Sequence, residues 1–176
     1  MHRSFFYISI VYQIYGISQV ESFKSRQRVA PYIRGVYTME KVDHIGIAVR
    51  NLDERITYYT ETLGLKLLKV EEVESQQVKV AFIDAGNVKI ELLEPMSERS
   101  AIHGFLEKRG EGIHHVAFGV TGIRERMAEL REKGVRLLSD EPGPGAGGAE
   151  VAFLHPKDSY GVLYELCDKS GKGENK

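Results

Sequence analysis

The chain has 176 residues, of which 42% are hydrophobic and 28% charged, the balance of a globular domain, and its formal net charge is −1. Near-neutrality argues against nucleic acid or an anionic membrane surface as the main partner, and no apolar run reaches the roughly 20 residues that span a bilayer. A single cysteine, Cys167, excludes an internal disulfide and suits a reducing compartment; near the end of a strand it reads as a small packing residue.

Residues 1–38 differ in character from the remainder of the chain. The stretch Phe5–Ile17 is aromatic and β-branched, and Lys24–Arg34 carries four basic residues and no acid. With Met39 directly before the first well-patterned strand, residues 1–38 are expected to be an extension outside the fold; the expected location is the cytoplasm, or the mitochondrial matrix if the extension is a transit peptide.

Beyond Met39 the chain repeats itself. Asp43–Leu68 (DHIGIAVRNLDERITYYTETLGLKLL) aligns with His114–Leu138 (HHVAFGVTGIRERMAELREKGVRLL) after one deletion. Each copy starts as an alternating strand, turns into an amphipathic helix, reaches a glycine (Gly64, Gly134) and resumes as a strand (KLLKV, VRLLS). A second matched pair lies later in each copy, VKIEL at Val88–Leu92 and VLYEL at Val162–Leu166, with turns expected at Asp84–Asn87 and Asp158–Gly161. The predicted fold class is α+β: two tandem βαβββ modules, about 40–95 and 111–168, forming a concave mixed sheet.

Alternation along a strand then sorts the side chains. Ile45, Ile47 and Val49 share a face that a helix can cover, leaving His44, Gly46 and Ala48 on the other. In the second copy Val116, Phe118 and Val120 oppose His115, Ala117 and Gly119. Glu91 opposes its apolar strand neighbours, and so does Glu165. Four ligand-type residues, His44, Glu91, His115 and Glu165, thus occupy equivalent positions on the face away from the apolar one. Pseudo-twofold pairing of the modules would bring them together, and two imidazoles with two carboxylates suit a single borderline divalent ion such as Co²⁺, Ni²⁺, Zn²⁺ or Mn²⁺. His114 falls on the opposite face from His115 and reads as structural or supporting.

The stretches DHIGIAV, VKIELLEP, GEGIHHVAFGV, DEPGPGAGG and FLHPKDSYGVLYEL resemble the vicinal oxygen chelate superfamily and, within it, the methylmalonyl-CoA epimerase family. The likeness covers residues 40–167, so residues 39–168 are expected to form one domain and 169–176 a polar tail. It implies metal ligation by the same four residues, interconversion of the two C2 epimers of an acyl-CoA substrate, and a homodimer. Some members of the family carry glutamine at the position of Glu91 and a free glutamate base at that of Val80. Valine moves no proton, so Glu91 and Glu165 are expected to be the catalytic pair, with Gln76, Lys79 and Glu74 as alternatives for the second base. Substrate contacts are expected at Gln76, at Gly147 in the loop Pro142–Gly148, and at Lys157 for a CoA phosphate. The rival readings are a glyoxalase I-like lactoylglutathione lyase and a non-catalytic small-molecule-binding protein of the same fold. An extradiol dioxygenase, which needs one set of three ligands, is disfavoured by the intact pair His44 and Glu91.

Overall fold

The computed structural model describes residues 39–171, so the expectations for residues 1–38 and for residues 172–176 of the tail lie outside the described residues. The first module runs β1 (Lys41–Ala48), α1 (Leu52–Thr57, continued by a π turn over Tyr58–Thr62), β2 (Lys66–Val73), β3 (Val78–Asp84) and β4 (Lys89–Pro95). Then come α2 (Ala101–Arg109), β5 (Gly112–Val120), α3 (Ile123–Glu132), β6 (Gly143–Pro144), β7 (Glu150–Leu154) and β8 (Tyr164–Asp168). The strands form one mixed sheet in the order β2-β3-β4-β1-β5-β8-β7-β6. The first strands of the two modules pair antiparallel at its centre, each flanked by the parallel last strand of its own module. Among the described residues no helix is long and apolar enough to cross a membrane.

Local chemistry sets the boundaries. Asn51 caps α1, its side chain accepting from the Glu54 N–H at 3.1 Å, and Gly64 (φ 69°) and Gly134 (φ 82°) take the left-handed conformation that ends the helical segments. On the helix-covered face Val49, Leu52, Ala81, Ile83 and Leu92 form one apolar cluster; Val120, Ile123, Met127, Leu130, Ala152, Leu154 and Leu166 form its counterpart in the second module. Each fully buried Leu or Ile there contributes roughly 1.5–3 kcal/mol by leaving water.

Two features depart from the sequence reading. The strand expected at VRLLS is reduced to one bridge, Leu137 to Leu154, and the edge strand β6 has two residues. Pro142 and Pro144 offer no N–H to a ladder, which keeps this edge short. The second is α2, capped by Ser100 and lying between the modules, where no element was expected. Its Ile102 and Leu106 pack with Ala48, Val78, Val80, Phe82 and Leu93 on the inner face of the sheet, so that face is half apolar wall and half polar floor.

Candidate metal centre

The polar floor arises from the strand register. Gly46 of β1 is flanked by Glu91 on β4 and His115 on β5. In the same way Ala117 of β5 is flanked by His44 on β1 and Glu165 on β8. Each row is candidate ligand, small residue, candidate ligand, and the small residue leaves room for the flanking side chains. A Cβ on Gly46 would lie 2.3 Å from His115 Cε1, inside van der Waals contact. Gly46→Ala should therefore push the His115 ring off its place and weaken Co²⁺ binding by about tenfold or more, in line with the cost of disturbing a ligand's orientation. Direct Co²⁺ titration checks this, with thermal unfolding of the metal-free protein as the folding control; unchanged affinity would contradict it.

All four side chains are buried, between 3% and 5% exposed. His44 Nε2 lies 3.1 Å from His115 Nε2, 3.5 Å from Glu91 Oε2 and 3.6 Å from Glu165 Oε1, and His115 Nε2 lies 3.3 Å from Glu165 Oε2. Ligand atoms of His44, His115 and Glu165 all fall within 4.8 Å of one another; Glu91 joins through its approach to His44. Atoms bound about 2.1 Å from one ion sit about 3.0 Å apart at right angles and about 3.4 Å apart in a tetrahedron. The 3.1 and 3.3 Å separations fall within that span and the 3.5 and 3.6 Å ones lie just beyond it, and the donor set is one a borderline divalent ion takes.

Burial pushes the Glu165 carboxyl up to about 8 and raises Glu91 as well, the latter opposed by the His44 charge. Burial drives His115 well below its usual range. At His44 burial acts downward, but the Asp43 hydrogen bond and the charges of Glu91 and Glu165 prevail and raise it. A divalent cation among these atoms would keep the imidazoles as neutral donors and lower the carboxyls again, against the burial that raises Glu91 and Glu165 and favours a proton on one of them.

Above the floor opens a cavity of about 520 Å³, walled by Val78, Val80, Leu93 and Ile102 on one side and by Pro144, Val151 and Phe153 on the other. Of the expected substrate contacts, Gln76 lines it, and its amide donates to the Pro144 carbonyl at 3.1 Å. Gly147 donates its N–H to the Glu71 carboxylate, and Lys157 sits in the turn Pro156–Asp158; neither is among the lining residues. Of the alternatives for a second base, Glu74 and Lys79 are absent from the described lining and Gln76 is present. Cys167 lines the cavity beyond Glu165, its thiol pushed up to about 12 by burial.

His114 departs from the sequence reading. It lies on the cavity side with His115, because the ladder slips between Gly46 and Ile47 and makes β5 bulge there. A bulge turns two successive side chains to one face. Asp43 and Lys169 escaped sequence reasoning: Asp43 accepts from His44 Nδ1 at 3.0 Å and pairs with Lys169. The repeat alignment, which sets Asp43 opposite His114, held the signal.

Tandem βαβββ modules curled around a buried centre of two histidines and two glutamates define the vicinal oxygen chelate class. The family model for the Glyoxalase/Bleomycin resistance protein/Dioxygenase superfamily matches residues 43–153. A hypothetical protein of Bacillus halodurans C-125 of known structure is 56% identical, covering 77% of this chain and 98% of its own, with TM-score 0.73. The ethylmalonyl-CoA/methylmalonyl-CoA epimerase of Cereibacter sphaeroides is 44% identical over 128 residues, 72% of this chain and 96% of its own. A variant of Streptomyces coelicolor methylmalonyl-CoA epimerase, solved with 2-nitronate-propionyl-CoA, is 42% identical at TM-score 0.71, covering 76% of this chain and 96% of its own. The chain belongs to the methylmalonyl-CoA epimerase family of that superfamily.

Proposed function

We propose that the protein interconverts the two C2 epimers of methylmalonyl-CoA, with His44, Glu91, His115 and Glu165 holding one divalent ion. One observation carries the assignment of roles: among the described residues lining the cavity, Glu91 and Glu165 are the carboxylates, and the internal repeat relates them. A divalent ion bound there supplies Lewis-acid polarisation of the thioester carbonyl, which makes the C2 proton acidic.

The chain's own groups then move the proton. One carboxylate takes it from C2, the electron pair passes into the thioester carbonyl, and the other glutamate, as the acid, delivers a proton to the opposite face. The two have then exchanged protonation states, and the return reaction runs with the roles reversed. Each such group is worth roughly 10²–10⁴ in rate. Val80, 1% exposed in the apolar wall, helps to exclude water. Gln76 is assigned to the acyl end of the substrate, and Gly147 and Lys157 to the CoA moiety beyond the cavity mouth.

Co²⁺ is the proposed ion, ahead of Mn²⁺, Ni²⁺ and Zn²⁺, and the proposed assembly is a homodimer; elemental analysis and sedimentation check each. The direct test is a pair of assays on the metal-loaded protein. Turnover of methylmalonyl-CoA without turnover of methylglyoxal and glutathione is the expected result, and the reverse pattern would replace this reading with a lactoylglutathione lyase.

A further inference from the structure

Each histidine of the centre is followed outward by a second polar contact, and the two contacts are related by the repeat. Asp43 precedes His44 in one module and His114 precedes His115 in the other. Neighbours on a regular strand point to opposite faces and cannot reach each other in this way. Here both strands are irregular at the necessary place: the β1–β5 ladder shifts between Val42 and His44, and again between Gly46 and Ile47, where His114 is the extra residue. The first irregularity brings the Asp43 carboxylate 3.0 Å from His44 Nδ1. The second brings His114 Nδ1 2.9 Å from His115 Nδ1.

In both cases the ring's Nε2 faces the other ligands and its Nδ1 faces the preceding residue. An imidazole that offers its Nε2 lone pair to an ion carries its proton on Nδ1, which needs an acceptor. Asp43 is such an acceptor. His114 is one when its own proton sits on Nε2, which leaves the Nδ1 lone pair 2.9 Å from His115 Nδ1. Both acceptors are held in place: Asp43 by Lys169 just beyond β8, and His114 by a T-shaped contact with the Phe105 ring on α2, with centroids 5.0 Å apart.

We propose that Asp43 and His114 are paired positioning residues, each fixing the tautomer and ring orientation of the ligand histidine that comes after it in the chain. The bulge at each is what lets a sequence neighbour take this part. The pair is symmetric in geometry and unequal in chemistry, a carboxyl group behind His44 and an imidazole behind His115. The inference rests on the metal centre proposed above.

The test is direct Co²⁺ titration of the full chain, following affinity and the visible spectrum of the bound ion, with thermal unfolding of the metal-free proteins as the folding control. Asp43→Ala and His114→Phe should each bind Co²⁺ about 10–100-fold more weakly, the usual cost of losing a ligand's outer partner. His114→Asn offers an oxygen in place of Nδ1 and should stay within about threefold of wild type on the same scale. Wild-type affinity and spectrum in both Asp43→Ala and His114→Phe would overturn the proposal. So would equal loss in His114→Phe and His114→Asn, which would make the ring's packing against Phe105 the operative feature. Failure of the wild-type protein to take up Co²⁺ would instead defeat the metal-centre reading itself.

Discussion

Glu91→Gln should keep about one divalent ion per chain and lose roughly 10²–10⁴ of the epimerisation rate, the worth of one positioned acid or base. Glutamine offers a neutral oxygen of similar shape, so the centre retains four donors, but it cannot accept or return the C2 proton. The remaining face still has Glu165. Deuterium at C2 should therefore wash out of one epimer faster than the other, an asymmetry that the loss of a mere ligand would not create. The cavity wall sharpens the expectation: Val80 is apolar, and among the described lining residues the other titratable groups are His44, His114, His115, Arg99 and Cys167. Near-wild-type epimerisation by a metal-loaded Glu91→Gln protein would reduce Glu91 to a ligand and move the second base to a water held by Gln76.

His115→Ala should fold and lose the ion. The side chain is 5% exposed and lies 3.1 Å from His44 and 3.3 Å from Glu165, so its removal opens the centre on the side where three ligand atoms converge. Lewis-acid polarisation is worth several kcal/mol, and at 1.36 kcal/mol per factor of ten its loss costs at least about 10²-fold in rate. Elemental analysis of purified wild type and variant gives the stoichiometry, and circular dichroism confirms the fold. Stoichiometric ion in both His44→Ala and His115→Ala would remove these residues from the centre.

Much of this site is legible in the repeat, because a period of two forces His44, Gly46 and Ala48 to one face and the copy at His115, Ala117 and Gly119 to the matching one. The same regularity hides Asp43 and His114. Strict alternation sends both to the wrong face, and a bulge depends on the register of the partner strand, which one strand's sequence does not state. Helix α2 was hidden for another reason. It is short, contains Gly104, and owes its place to Ile102 and Leu106 meeting residues of β1, β3 and β4 that are distant in the chain. The weakness of the strand after Gly134 comes from the proline- and glycine-rich segment beyond it, whose loop is held instead by Gln76 and Glu71 from the far edge of the sheet.

Epimerisation of a methylmalonyl thioester at this centre runs through removal of its C2 proton with the help of a bound divalent ion. The most direct measurement tracks C2 of one methylmalonyl-CoA epimer in D₂O, by mass and by NMR, with metal-loaded and metal-stripped protein. Deuterium at C2 and the opposite epimer should appear with the loaded protein, both being lost on stripping and restored by Co²⁺. Loaded protein that leaves the C2 proton and the configuration unchanged would contradict this mechanism.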